Sequence, residues 1–196
     1  MTDNRLVSVL AAIDKANEQD PRKELSDGQE YPREWLYGRR MSDWLKKLNP
    51  AAGELVQIAA RGQHIRRWES PRESYPATRE GYLKWRTQLY SFHGERVAEL
   101  MREAGYDEDM IQQVRVVLQK RGIKSNPDVQ VTEDVACLVF LEFYFRDFAR
   151  TQESEKLVGI VRKTWGKMSE QARQAALDLS FPEDVQPLLA RALSPD

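Results

Sequence analysis

Apolar residues recur at steps of three and four along almost the whole chain, and we find no convincing run that alternates apolar and polar positions. This pattern predicts an all-α protein. In residues 3–17, for example, Leu6, Val7, Leu10 and Ile13 fall on one helical stripe. The expected architecture is a single-domain bundle of about eight to ten helices around one core.

Capping residues and prolines suggest where these helices begin and end. A polar loop opens at Asp20-Pro21, and residues 70–78 are expected to be irregular. Helices are expected at about residues 34–48, 50–68 with Pro50 in the first turn, 79–104 before Gly105, 107–122, 126–150, 154–166, 169–180, and after Pro182. The N-terminal helices, residues 3–48, are expected to pack on a core at about residues 50–180.

Composition narrows the class of protein. The 196 residues are 41% apolar, enough for one domain with a buried core. The formal net charge of -1 gives no general basic field, which disfavours nucleic-acid binding without excluding a local basic patch. Cys137 is the single cysteine, and no apolar run is long enough to span a membrane. We therefore expect a soluble cytoplasmic protein without a disulfide framework and without a membrane partner.

Two carboxylates stand on the predicted helix at 126–150, which is apolar on both sides and is therefore expected to be central. Asp134 shares a stripe with Leu138 and Leu141, and Glu133 lies about a quarter-turn away. A carboxylate in such a stripe needs a partner, a proton or a metal ion. Asp134 is thus either a site residue or an acid that satisfies backbone N–H groups near the helix start.

The two histidines lie on two other predicted helices. His93 shares a face with Arg86, and a buried guanidinium there would need an anionic partner such as Asp134, Glu133 or a phosphate. The alternative is an ordinary core histidine bonded to a neighbour.

His64 is expected off the packing stripe of its helix, on a face with Arg61, Arg67 and Trp68. Such a face is either solvated surface or a binding wall, because tryptophan stacks on guanidinium groups and on bases. Nearby positive charge would keep the imidazole neutral, the form that binds a metal ion or accepts a proton. The prolines that follow would bring Arg72 and Tyr75 across this wall.

His64, His93 and Asp134 are residue types that bind zinc, manganese, iron or nickel, and three such ligands with an open position are typical of a catalytic metal site. Helical spacing alone does not bring the three together. A divalent metal ion is therefore a candidate cofactor.

The motifs QHIRRW, YLKWR, EDVACLVFLE and KTWGKMS resemble those of the DUF4202 proteins, a family of bacteria and fungi whose function is unknown. The resemblance covers nearly the whole chain. Some fungal members carry the label glutamyl-tRNA synthetase-like, but this sequence has no nucleotide-binding HIGH-like and KMSK-like pair.

A more distant resemblance, over about residues 54–150, is to the HD-domain phosphohydrolases, all-α proteins that bind a divalent metal through histidines and aspartates. His64, His93 and Asp134 follow in a comparable order. The sequence departs from that pattern because Gly94, not aspartate, follows His93, so the resemblance implies either an altered metal site or a lost one.

Two functions from different classes remain open. The first is a metal-dependent phosphohydrolase acting on a nucleotide or small phosphate ester, with Glu133 and Arg86 as the expected catalytic residues. The second is a helical module that binds a nucleotide, an RNA or a protein without chemistry, through ligand-binding residues on the same wall: Arg61, Arg67, Trp68, Arg72 and Tyr75. A homo-oligomer is compatible with either function.

Overall fold

The computed structural model describes residues 2–193 of the chain, with side chains from residue 4 onward. Within that range the protein is a bundle of ten α-helices with one two-stranded hairpin, as an all-α class predicts. The elements are α1 (Thr2–Asn17), β1 (Lys23–Ser26), β2 (Gln29–Pro32), α2 (Arg33–Leu48), α3 (Glu54–Gly62), α4 (Arg79–Glu103), α5 (Glu108–Leu118), α6 (Pro127–Val139), α7 (Phe145–Ala149), α8 (Ser154–Lys167), α9 (Glu170–Leu177) and α10 (Gln186–Leu193).

Side-chain caps set several helix starts. The Asp107 carboxylate accepts a hydrogen bond from the backbone N–H of Met110 at 2.8 Å, and the Asn126 side chain accepts one from Asp128 at 2.9 Å. These oxygens satisfy backbone donors that have no partner inside the helix. At the other end of α4, Gly105 takes a positive φ of 79°, as the glycine stop predicts.

The hairpin was not expected. Lys23 pairs with Pro32 and Ser26 with Gln29 in an antiparallel register, and the two strands are joined by Asp27-Gly28 with φ values of 51° and 79°. Asp-Gly is the turn sequence that favours such a two-residue hairpin, because both residues tolerate positive φ. The apolar pattern gave no signal because no strand residue is fully buried and Leu25, the apolar residue of β1, is 68% exposed.

The helix expected at residues 50–68 is much shorter. Pro50 does not start it: Gly53 is the N-cap, and α3 runs only from Glu54 to Gly62. The chain then turns through His64 into a one-turn 3₁₀ helix, Arg67–Glu69, with Arg66 in the left-handed region at φ 51°. His64 therefore lies on a turn, and its direction does not follow helical spacing.

α6 and α7 form the nearly continuous helix expected at residues 126–150, interrupted by a π-helical turn at Phe140–Tyr144. Residues on α6 are buried on all sides, which agrees with a central position. The wider turn rotates Tyr144 so that its hydroxyl accepts a hydrogen bond from Arg40 of α2 at 2.9 Å.

Two apolar clusters make the core, and α3 lies between them. One cluster packs α2, α6, α8, α9 and α10 together; the other packs α1, α4 and α5. Val56 and Ala60 of α3 belong to the first cluster, whereas Ile58 and Ala59 belong to the second. The loop after α3, which carries His64, therefore leaves from the junction of the two clusters. None of the described helices is long and apolar enough to cross a membrane.

Candidate ligand-binding site around His64

The start of α2 is held by a buried network of charged groups. The carboxylate of Asp20 accepts hydrogen bonds from the Arg22 guanidinium and, at 3.1 Å, from the backbone N–H of Glu34. Arg22 also donates to the side chain of Glu34 at 2.8 Å. Glu34 is only 3% exposed, and its burial raises the pKa of its carboxyl above the ordinary value, against the opposing effect of Arg67 and Arg22.

Both ring nitrogens of His64 have hydrogen-bond partners. Nδ1 lies 3.1 Å from a carboxylate oxygen of Glu34, and Nε2 lies 2.7 Å from the Arg67 guanidinium. An arginine has no acceptor, so Nε2 must accept from Arg67. Neutral His64 therefore carries its proton on Nδ1 and donates it to Glu34. The carboxylate fixes both the tautomer and the orientation of the imidazole.

The ring of His64 also packs against an aromatic side chain. The Tyr37 ring stacks on it, with 3.8 Å between ring centroids and 11° between planes. Burial, together with the positive charges of Arg67, Lys120, Arg33 and Arg22, lowers the pKa of His64 well below its ordinary value. The expectation of a neutral imidazole in a positive environment agrees with this arrangement.

His93 reaches the same place from α4. Its ring centroid is 5.9 Å from that of His64, and the residue is 2% exposed. Burial, His64 and Arg67 lower the pKa of His93 well below its ordinary value. Within the part of the chain that the structure describes, its buried Nδ1 has no hydrogen-bond partner. A buried polar atom of this kind normally has one, so Nδ1 of His93 is open to a further hydrogen bond.

Arg67 is a partly buried cation that forms no direct ion pair among the described residues. Its guanidinium lies 5.0 Å from the centroid of the Trp85 ring, and its hydrogen bond is to the neutral His64. It forms no salt bridge with any carboxylate among residues 4–193. Burial lowers the pKa of Arg67 from its ordinary value, and the nearby Glu34 carboxylate offsets this only in part.

Glu133 lies with two lysines at this centre. Lys120 donates to one of its carboxylate oxygens at 2.5 Å, and Lys167 donates to the other at 3.2 Å. Burial opposes ionisation, but the two ammonium groups outweigh it and hold the pKa of Glu133 at about 2. Lys120 adopts φ 55° just after α5, a conformation that costs a non-glycine residue about 1 kcal/mol or more. This conformation caps the end of α5, because the backbone N–H groups of Lys120 and Arg121 donate to the carbonyl oxygens of Val117 and Val116.

Asp134 has a structural role and not the metal-binding role expected from the sequence. Its Oδ1 accepts hydrogen bonds from the backbone N–H of Ser169 at 2.8 Å and from the side chain of Gln130 at 2.9 Å. Ser169 is the N-cap of α9, so Asp134 anchors the start of that helix against α6. The structure brings His64 and His93 together but does not bring Asp134 to them.

Other predicted site residues are also engaged elsewhere. Arg61 does not lie beside His64, because α3 ends at Gly62; its guanidinium pairs with Asp14 of α1 at 3.0 Å. Arg86 donates to the hydroxyl of Tyr90 on its own helix. Only its electrostatic interaction with Glu133 connects Arg86 with the site.

The loop before α4 forms a separate hollow. Arg72 donates to the backbone oxygens of Tyr75 and Pro76 at 2.9 and 2.8 Å, and so holds the loop in shape. Tyr75 donates to Gln88 and lines a polar cavity of about 600 Å³ between this loop and α4. Trp68 is half-buried in the 3₁₀ turn. Of the predicted ligand-binding residues, Arg67 is therefore the one in direct contact with His64.

The donors do not fit the predicted metal site. No group of three histidine, cysteine, aspartate or glutamate residues that could hold a metal ion occurs in the described range. Both nitrogens of His64 are used, and Asp134 binds a backbone N–H. We derive no chemistry through a metal ion from this arrangement.

Comparison with known proteins places the chain in a family. The model of a domain of unknown function, DUF4202, matches residues 7–189. The chain belongs to the DUF4202 family. No curated protein and no solved structure matches it. These comparisons do not show the more distant resemblance to HD-domain phosphohydrolases, which stays a prediction.

Several residues of the site in this DUF4202 protein were missed from the sequence. Asp20, Arg22 and Glu34 were assigned to a polar loop and a helix start, and Tyr37 and Lys120 received no role. A local signal did exist for the first three, because Asp-Gly between two short polar runs predicts a hairpin whose ends lie side by side. Tyr37 and Lys120 reach His64 only through the packing of α2 and α5, which the sequence alone does not reveal.

Proposed function

We propose that this DUF4202 protein binds a phosphorylated small molecule, such as a nucleotide or a sugar phosphate, at the centre formed by His64, Arg67, His93 and Lys120. The observation that carries the proposal is Arg67, a half-buried guanidinium with no carboxylate partner in the described chain. Arginine binds phosphate oxygens through parallel, charge-assisted hydrogen bonds, and a phosphate would supply the charge that Arg67 lacks.

The surroundings of Arg67 support an anionic ligand. Lys120, Arg33 and Arg22 all act on His64 in the same electrostatic direction as Arg67, and together they lower the pKa of the imidazole. The buried Nδ1 of His93 is a further group that lacks a partner. The acidic residues close by are already satisfied, Glu34 by Arg22 and His64, and Glu133 by its two lysines.

The test is binding of defined phosphates to the full chain by calorimetry, with inorganic phosphate, AMP, ATP and ribose 5-phosphate as probes. We expect Arg67→Gln to weaken binding of the best probe by about 10-fold to 100-fold, the loss of one or two charge-assisted hydrogen bonds. Arg66→Gln is the matched control, because Arg66 pairs with Glu69 at the surface. Binding that is equal in both variants, or absent for every probe, would overturn the proposal.

Metal analysis of the same preparations tests the alternative function, that of a metal-dependent phosphohydrolase. Protein purified without chelator is assayed for transition metals in wild type, His64→Ala and Asp134→Ala. If wild type contains one equivalent of metal and both variants contain none, our proposal is wrong and the metal-dependent function takes its place. Phosphate binding that persists in EDTA and requires Arg67 supports the proposal.

A further inference from the structure

Glu34, His64 and Arg67 form a linear arrangement in which each hydrogen bond constrains the next. Glu34 accepts from Nδ1 of His64 at 3.1 Å, and Arg67 donates to Nε2 at 2.7 Å. The lone pair of Nε2 is therefore directed at the one guanidinium that we expect to bind phosphate. A second polar group at that place would compete with His64 for Arg67.

This geometry links ligand binding to the state of His64. The inference requires a phosphoryl oxygen to accept from Nη1 of Arg67, the nitrogen that otherwise donates to Nε2 of His64, and Nε2 then faces the ligand with its lone pair free. Glu34 still holds Nδ1–H, so the ring keeps its tautomer and direction. Stacking on Tyr37 restrains the ring further, with 3.8 Å between the centroids.

We propose that His64 is the proton acceptor in hydrolysis of a phosphate ester at this site, that Glu34 is its positioning residue, and that Arg67 uncovers Nε2 when the phosphoryl group binds. The inference rests on the proposed function. It goes beyond it because it assigns a reaction to the site and a role to Glu34.

The step balances without a metal ion, an oxidant or a second substrate. Nε2 of His64 takes a proton from a water molecule as the water oxygen forms a bond to phosphorus. The ester P–O bond breaks, and the leaving alcohol oxygen takes a proton back from the imidazolium or from solvent. The products are the free alcohol and inorganic phosphate from a monoester, or the free alcohol and a phosphate monoester from a diester. The Glu34 carboxylate stabilises the positive charge that His64 carries in between.

His93 supplies an independent observation that the site accommodates something more. It is 2% exposed, its ring is 5.9 Å from that of His64, and its Nδ1 lacks a hydrogen-bond partner in the described chain. A buried imidazole nitrogen without a partner is costly in a closed core, whereas a water molecule or a ligand atom within hydrogen-bond distance of Nδ1 would satisfy it.

The experiment measures turnover of p-nitrophenyl phosphate and of bis(p-nitrophenyl) phosphate by the full chain in the presence of EDTA. We expect His64→Gln to lower kcat by about 100-fold or more with KM changed by less than about 3-fold, because a general base acts in the transition state and not in binding. Glu34→Gln is expected to lower kcat by about 10-fold or more, and Glu34→Asp to retain part of the rate. Arg66→Gln is the control.

A spectroscopic measurement separates positioning by Glu34 from a purely structural role. Nitrogen-15 shifts of His64 are expected to show Nδ1–H as the single tautomer in wild type and a mixture of tautomers in Glu34→Gln. Titration with inorganic phosphate is expected to shift the Nε2 resonance of wild type as Arg67 leaves it. In Arg67→Gln without phosphate, the Nε2 chemical shift of His64 is expected to lie close to that of phosphate-bound wild type.

The outcomes separate the two proposals. A chain that binds phosphate through Arg67 but hydrolyses neither probe, or whose His64→Gln variant turns over at the wild-type rate, overturns the catalytic inference and leaves the binding function standing. A chain that binds no phosphorylated probe overturns both. If His64→Gln does not fold, kcat of Glu34→Gln and the tautomer of wild-type His64 still decide the matter.

Discussion

A single buried ionisable residue tells little until its partners are known, and the acidic pair on α6 shows why. Glu133 and Asp134 are neighbours in sequence and are both almost fully buried. Glu133 faces two lysines, whereas Asp134 faces the backbone of Ser169. Asp134 is therefore a structural acceptor, and Glu133 is a charged group at the edge of the candidate site.

Asp134→Ala is expected to destabilise the fold without affecting the site. The substitution leaves the backbone N–H of Ser169 without its acceptor, which costs about 1–3 kcal/mol in the free energy of unfolding. Urea denaturation measures this loss, and phosphate binding should stay at the wild-type affinity. Asp147→Ala is the control, since that side chain is 86% exposed and should change the free energy of unfolding by less than about 0.5 kcal/mol. A selective loss of binding with unchanged stability would restore Asp134 to the site.

Glu133 is expected to make stability depend on pH. Its pKa falls from 4.5 in the unfolded chain to about 2 in the folded protein, because Lys120 and Lys167 outweigh the effect of burial. The stabilisation is therefore fully present above pH 4.5 and is lost as the pH falls towards 2. At about 1.4 kcal/mol per pKa unit, its size at neutral pH is on the order of 3 kcal/mol.

Comparison of wild type with Glu133→Gln isolates this contribution from those of the other titrating groups. Urea unfolding at a series of pH values between 7 and 2.5 should show the difference in unfolding free energy between the two proteins shrinking as the pH falls. Glu170→Gln is the control, because that side chain is 90% exposed; its unfolding free energy should show the same pH dependence as that of wild type. If the unfolding free energy of Glu133→Gln followed the same pH dependence as that of wild type, Lys120 and Lys167 would not lower the pKa of Glu133.

How far the site could be predicted depends on which contacts are local. The charge of Arg67 beside His64 followed from the sequence, whereas the burial that lowers the pKa of His64 most comes from the tertiary fold. That His64 and His93 share one site stays a prediction. The direction of Arg61 and the role of Asp134 did not follow. Each is decided by a partner far away in the chain, Asp14 and Ser169 respectively. Spacing along one helix carries no information on such partners.

Among the elements, α3 decides where the site lies. Most helices were predictable because their apolar spacing and caps are local properties. The end of α3 was not, since the polar residues after Gly62 are compatible with further helix and only tertiary contacts stop it. Asn17 shows one of these contacts: its side chain accepts from the backbone N–H of Arg66 at 2.9 Å, where the chain takes its left-handed turn.

Gly62 allows α3 to pack closely on α4, the helix that carries His93. A Cβ at this position would lie 2.5 Å from a methyl carbon of Val97. We expect Gly62→Ala to lower the free energy of unfolding by about 1–3 kcal/mol through overpacking. Gly159→Ala in α8 should instead raise it by about 0.5–1 kcal/mol, because nothing lies within 4 Å and alanine favours the helix.

Chemical denaturation of both glycine variants tests this pair of expectations. Val97→Ala removes the methyl carbon that the new side chain would contact. In the Val97→Ala background, Gly62→Ala should therefore lower the free energy of unfolding by less than it does in the wild type. Equal effects of the two glycine substitutions would show that α3 and α4 are not closely packed at this point.

At the scale of the whole molecule, the site lies where two apolar clusters meet. Leu55 of α3 packs against both clusters, and the two sides of that helix belong to different ones. His64 follows α3 directly, Tyr37 comes from the first cluster, and α4, which carries His93, belongs to the second. A ligand in contact with His64, Arg67 and His93 would therefore bridge the two halves of the core.

The shared helix predicts that both halves unfold together, as one domain. Ile111→Ala in the second cluster and Leu138→Ala in the first, both at fully buried positions, should each lower the free energy of unfolding by about 2–5 kcal/mol. Circular dichroism and tryptophan fluorescence should give coincident single transitions in wild type and in both variants. Val7→Ala, at a residue that is 61% exposed, should change little. A variant that unfolds in two steps, with only one of them shifted, would show that the clusters are separate folding units and that a ligand at the site joins them only by binding.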